Sequence, residues 1–256
     1  MRFRPCIDIH NGKVKQIVGA SLADENNSAK DNFISVQDAA FYAEKYRNNG
    51  FFGGHIIILN PAGSEFYEED LKQAKLALDA FPNGMQIGGG ITSSNAHIFL
   101  EMGASHVIVT SYVFRNGIID YERLKRISTT VDKKHLVLDL SCRKKGDDYY
   151  VVTDRWQNMT DEKLNHNLFA KLSAYCDEFL VHAVDVEGRS SGVDDNVIRL
   201  LGECTECAVT YAGGIHSMED IDKIEILGGG KVDFTIGSAL DLFGGSIPYS
   251  LLLKYS

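Results

Sequence analysis

MQIGGGITSSNAHIFLEMGASHVIVTSYVF, residues 85–114, and VTYAGGIHSMEDIDKIEILGGGKVDFTIGSALDLF, residues 209–243, follow one plan. Each runs from a short apolar strand into a glycine cluster, then a helical stretch and a second apolar strand. Each then reaches a serine that opens a new segment, Ser111 in the first and Ser238 in the second. Upstream of each glycine cluster stands a strand-end carboxylate, Asp8 in CIDIHNGK and Asp139 in VLDLSCRK. All these pairs are offset by close to half the chain, so one half reads as a diverged copy of the other.

Working outward, short β-branched and continuously apolar runs predict strands over 3–9, 55–59, 85–87, 106–110, 135–140, 179–183, 208–211 and 232–236. Continuous apolarity suits parallel strands buried on both faces. Helical spacing fills the gaps at 36–48, 68–80, 94–102, 121–128, 161–176, 196–203 and 218–227, with 251–254 a short eighth. Ser94, Asp161 and Ser217 stand where N-caps belong. Strict alternation repeated eight times predicts an α/β fold, the closed (β/α)8 or TIM barrel, built from two pseudo-symmetric half-barrels. The 4 prolines do not cluster into a linker. We therefore expect a single domain over 1–256, with half-barrels of approximately 1–128 and 129–256. The connections 11–35 and 141–160 are long, follow the two strands that end in aspartate, and read as binding loops without elements of their own.

The 44% hydrophobic and 24% charged content is that of an ordinary globular chain. No apolar run approaches the ~20 residues that span a bilayer. The first residues, MRFRPCIDIH, lack the pattern of a secretory signal. A cytoplasmic location with no membrane partner is expected. The net charge of −9 argues against nucleic acid as a partner, since duplex binding neutralises many phosphates. Five cysteines without a secretory signal predict free thiols. Cys204 and Cys207 have C-x-x-C spacing, but with no second pair this reads as a helix end packing into the next strand. The protein is expected as a monomer.

In such a barrel the active face is at the C-terminal ends of the strands. Asp8 and Asp139 end the first and fifth strands, which lie across the ring from each other. Two carboxylates facing one pocket suit a general acid and a general base, although strand-end aspartates also serve as turn formers. Gly88, Gly89 and Gly90 follow the third strand, and Gly213 and Gly214 the seventh. Glycines there allow close backbone approach, and their amides make anion sites. Ser111 completes the first site, and Gly237 with Ser238 the second, so a small molecule phosphorylated at both ends is the expected ligand, held without metal. His55 opens the second strand and His182 lies in the sixth, each a barrel-mouth acid or base or else a core histidine. Trp156, the sole tryptophan, sits in the long fifth loop, either to stack on a planar ring or to pin a surface hairpin. Arg143 is close enough to Asp139 in sequence to assist an anion, within an otherwise solvated basic run.

CIDIHNGKVKQIVG, QIGGGI, VLDLSCRK, FLVHAVDVEG, TYAGGI and TIGSALDLFGG, in this order, make the chain resemble the histidine-biosynthesis barrel isomerases in their eukaryotic form. These act on N-(5-phosphoribosylformimino)-5-aminoimidazole-4-carboxamide ribotide. The resemblance covers essentially the whole chain and implies an Amadori rearrangement, aminoaldose to aminoketose, with no cofactor. It implies Asp8 as the base that takes the C2 proton and Asp139 as the acid on the ring oxygen. Bacterial relatives have a Thr-rich stretch ending in Asp-Gly-Thr after the sixth strand. This chain has His182-Ala183-Val184-Asp185-Val186-Glu187, so Asp185 or Glu187 takes that place. The cyclase of imidazole glycerol phosphate synthase shares the fold, both aspartates and a cysteine like Cys6, but has a lysine where this chain has Gln16. A third reading, a barrel that binds a bis-phosphate without turnover, would suit a chain lacking either aspartate; both are present.

Overall fold

The structure, a computed structural model, describes residues 1–17, 31–187, 192–204 and 206–256. Eight parallel strands succeed one another: Cys6–His10, Gly54–Ile58, Met85–Gly88, His106–Val109, Leu136–Asp139, Glu178–His182, Ala208–Ala212 and Asp233–Phe234. They are called the first to eighth barrel strands below. Each hydrogen-bonds to its neighbours in sequence order. Phe3 bridges Phe234 in parallel, with the Arg4 amide donating to the Phe234 carbonyl at 2.8 Å and the Phe234 amide to the Arg2 carbonyl at 3.0 Å. The eighth strand thereby meets the segment that leads into the first, and the ring closes as a (β/α)8 barrel.

The helices of the ring are Ala39–Asn48, Tyr67–Ala80, Ala96–Glu101, Tyr121–Val131, His166–Leu172, Asp195–Gly202 and Met218–Leu227, and a 3-10 segment, Tyr249–Tyr255, stands in the eighth place. Among the described residues no helix is long and apolar enough to cross a membrane. Side-chain alternation divides the core in two. Ile7, Ile9, Val107 and Phe179 turn outward under the helices, while Ile57, Ile108, Val137 and Leu180 fill the barrel axis. Below that plug, at the N-terminal end, buried polar groups satisfy one another. Arg4 Nε lies 2.8 Å from Asp233, and Glu178 accepts from Gln86 Nε2 at 2.9 Å and Thr210 Oγ1 at 2.7 Å. Charges this deep survive only when paired.

Several boundaries differ from expectation, each for a local reason. The expected helix 161–176 is divided: Asn158–Lys163 is a strand, and the helix starts after Asn165, whose Oδ1 accepts from the Leu168 amide at 3.0 Å. Asp161 is therefore no cap. Ser94 is not one either, because the helix begins after Asn95, whose side chain turns back to the Thr92 amide at 2.7 Å. Ser217 does cap its helix, through a reciprocal capping box with Asp220.

The two long connections carry strands of their own, contrary to expectation. Lys13–Ile17 runs back antiparallel along the first barrel strand and pairs with Asp31–Ile34. Residues 18–30 between them are outside the described part. In the fifth loop Cys142–Lys145, Asp148–Thr153 and Asn158–Lys163 form a three-stranded antiparallel sheet.

Candidate active site

Asp8 alternates with Ile7 and Ile9, so the pleat that buries those two under helices turns its carboxyl into the barrel mouth. Gln16, reaching across from the Lys13–Ile17 strand, donates its Nε2–H to Asp8 Oδ2 at 3.1 Å. Burial pushes the Asp8 carboxyl up to about 7, helped by the negative charge of Glu187 and opposed by the Gln16 hydrogen bond. A carboxyl so poised can take or release a proton near neutrality.

Asp139 ends the fifth strand on the opposite wall. Its Oδ1 accepts from the Ser141 amide at 2.8 Å and the Ser141 hydroxyl at 2.6 Å, and its Oδ2 from Thr110 Oγ1 at 3.2 Å. Three donors fix its orientation, and the Asp-x-Ser spacing is the sequence sign that foretells two of them.

The glycine turns share one backbone conformation across the halves. Gly89 and Gly213 have φ of 111° and 115°, and Gly90 and Gly214 of 68° and 75°. Only glycine adopts such values freely. A Cβ at Gly89 would stand 2.2 Å from the Ile58 carbonyl, and one at Gly213 2.8 Å from the Ala183 carbonyl. Each turn therefore presses against the end of the preceding barrel strand.

The halves differ in what they enclose. Gly213, Gly214, Gly237 and Ser238 line a single cavity of about 360 Å³ together with Thr235 and Glu187. Ser111 lines another, of about 460 Å³, with Arg115, Thr153 and Asp154, and neither Gly89 nor Gly90 belongs to it. The Ser111 hydroxyl accepts from the Asp154 amide at 2.9 Å, which ties it to the fifth loop through a lone pair and leaves its O–H as a donor.

His182 ends the sixth strand, and its ring lies 5.5 Å from that of Trp156 at an interplanar angle of 46°. Trp156 closes a run of three left-handed residues, with Asp154 at φ 52°, Arg155 at 55° and Trp156 at 66°. Consecutive non-glycine residues in that region store strain, a feature of functional loops. Arg143 and Asp185 meet each other: Arg143 Nε stands 3.9 Å from Asp185, which also accepts from the Lys144 amide at 2.8 Å. Asp185 thus ties the fifth-loop sheet to the sixth strand, leaving Glu187 as the acid that faces the cavity and senses Asp8.

His55 stands apart. It pairs with Cys6 and Gln86 at the start of the second strand, two residues below Ile57, and is 4% exposed. Burial, His182 and Arg4 lower its pKa to about 3. A neutral histidine beneath the apolar plug does not reach the mouth, so its place in the site is corrected to one in the core.

Sequence reasoning did not single out Thr110, Ser141 or Arg155 for the site, and it reached Gln16 only by contrast with the lysine of the cyclase. Arg155, whose Nη2 donates to the Leu59 carbonyl at 3.0 Å, is brought over the second strand only by the loop's fold.

The chain matches the family described as histidine biosynthesis protein over residues 2–247. It is 51% identical over 254 residues to the chloroplastic 1-(5-phosphoribosyl)-5-((5-phosphoribosylamino)methylideneamino) imidazole-4-carboxamide isomerase of Medicago truncatula, covering 97% of this chain and 80% of that protein. To the isomerase of the same name from Neurospora crassa it is 45% identical, over 95% of this chain and 93% of the relative. To that of Saccharomyces cerevisiae it is 40% identical, over 96% and 94%. A near-complete family match, together with full-length relatives far above the level at which fold and family diverge, leaves one conclusion: this chain belongs to the histidine biosynthesis protein family, among its imidazole-4-carboxamide isomerases.

Proposed function

We propose that the chain converts the aminoaldose ribotide named in its relatives to the aminoketose isomer by an Amadori rearrangement. Asp139 protonates the ring oxygen as the C1–O bond breaks, and the nitrogen lone pair forms the imine. Asp8 then removes the C2 proton, giving an enolamine that tautomerises to the ketone. The observation that carries this reading is the pair of carboxylates on opposite walls of one mouth, beside glycine turns of matching conformation. An acid and a base on either face of a bound sugar are what the two proton transfers require.

In this reading Gly213, Gly214, Gly237 and Ser238 hold one phosphate of the substrate, and Gly89, Gly90 and the donating hydroxyl of Ser111 the other. Glu187 acts at the mouth, and Trp156 with His182 stacks on the imidazole. Arg143 and Asp185 position the loop. No cofactor is called for, and the enzyme works as a monomer. The cytoplasm is the proposed compartment, a reducing one that suits the five free thiols. The chloroplastic name of the Medicago truncatula relative makes a plastid the alternative, which a fluorescent fusion distinguishes. Incubating the purified protein with the aminoaldose ribotide alone tests the activity. Appearance of the ketose supports the reading; a requirement for ammonia or a glutaminase subunit would move the chain to the cyclase, and binding without turnover to a non-catalytic barrel.

A further inference from the structure

Gln16 is 4% exposed, although its side chain is fully polar. It lies on the strand that returns along the first barrel strand, next to Lys15, the residue opposite Asp8. Its amide spans two parts of the site. On one side Nε2 donates to Asp8 Oδ2 at 3.1 Å and stands 3.8 Å from Cys6 Sγ. On the other, Oε1 faces Gly237, where a Cβ would come within 2.4 Å of it. A buried amide is retained only where its hydrogen bonds are made, and this one meets a carboxylate and the wall of the glycine-lined cavity.

We infer that Gln16 is a positioning residue, which orients the Asp8 carboxylate and favours its ionised form for proton abstraction, and that position 237 is glycine partly to seat it. The inference deepens the isomerase reading and rests on it. The reasoning is electrostatic. A neutral amide donor stabilises a carboxylate without imposing a full positive charge. Around Asp8 stand Glu187 after the sixth strand, Cys6 on its own strand, Tyr46 from the first helix and apolar Ile57 on the second strand. Burial and Glu187 both favour the protonated carboxyl, and among the described residues Gln16 opposes them with a hydrogen bond.

Two variants test this. Gln16→Met keeps the volume and removes the donor; Gln16→Lys adds a charge. The readouts are the ¹³C titration of the Asp8 carboxyl, assigned by its loss in Asp8→Asn, and the pH profiles of kcat and KM, with circular dichroism as the folding check. Losing a hydrogen bond to the charged form should raise the Met variant's midpoint by about one pH unit and move the acid limb of kcat with it. At pH 6 kcat should fall about tenfold while KM changes less than about threefold. In the Lys variant midpoint and limb should both move below the wild type. Wild-type midpoints in both folded variants would overturn the inference. Shifted midpoints in a protein that leaves the ribotide unchanged would instead retain the Gln16–Asp8 coupling and sink the isomerase reading.

Discussion

As the proposed base, Asp8 joins two demands that conflict. A base working near neutrality needs a raised pKa, and raising it by burial makes the ionised form a liability to the fold. The ordinary carboxyl value is 3.8, and in the barrel it is about 7. Below pH 4 the group is protonated in both folded and unfolded chains and costs nothing. Between pH 4 and 7 the unfolded chain gives up its proton first, so stability falls as pH rises through this window and stays at the lower level above it. Asp8→Asn should therefore be more stable than the wild type at pH 8, by a few kcal/mol at most, with the gain fading toward pH 4. Urea unfolding at a series of pH values measures it, and a gain that does not vary with pH would contradict the assigned shift. The same variant should lose roughly 10²–10⁴ in turnover, the span for removing a positioned base. Together the two results would show stability given up for catalysis at one atom pair.

Among elements, the fifth-loop sheet decides how the mouth is covered. Cys142–Lys145, Asp148–Thr153 and Asn158–Lys163 carry Arg143 to Asp185, Asp154 to Ser111 and Trp156 to His182. Trp156, in its left-handed turn, should change its emission when substrate saturates the site, because in the proposed reading it stacks with His182 on the imidazole. A spectrum unchanged on saturation would leave Trp156 as a surface pin, and Trp156→Ala would then scarcely alter turnover. The barrel strands were legible in sequence because burial on both faces makes their residues apolar without interruption, and Asp8 and Asp139 stood out against that background. The fifth-loop strands were not: Arg143, Lys144 and Lys145 read as a solvated run, and the apolar Tyr149–Val152 after them was passed over because the connection was read as a loop. Gln16 stood out only by contrast with the lysine of the cyclase. Its meeting with Asp8 depends on hairpin register, which local pattern does not encode. His55, read as either a mouth or a core histidine, could not be assigned until the ends of the barrel were known.

On the scale of the whole molecule, the matched turns at Gly89–Gly90 and Gly213–Gly214 give the barrel a near two-fold plan, while its cavities break that plan. We propose that copies over 1–128 and 129–256 gave rise to it. We propose that a two-ended phosphorylated substrate bridges the mouth, with one end entering the cavity lined by Gly213, Gly214, Gly237 and Ser238. In the same proposal the other end meets Gly89, Gly90 and the Ser111 hydroxyl. Binding should consequently be ordered in strength. Ribose 5-phosphate, able to fill one site, should bind at least about 10²-fold more weakly than the full ribotide, because a second contact made within one bound molecule benefits from high effective concentration. Gly214→Ala should weaken both ligands, since its Cβ would stand 2.2 Å from the Gly192 carbonyl and force the turn open. Gly90→Ala meets no neighbouring atom within 4 Å, so its effect falls on the φ of 68° alone; it should weaken the ribotide while sparing the single phosphate held at the other end. Calorimetry on the two ligands with the two variants checks the set. Equal affinity of the wild type for ribotide and ribose 5-phosphate, or equal loss of both ligands in Gly90→Ala, would rule out a substrate held at both ends.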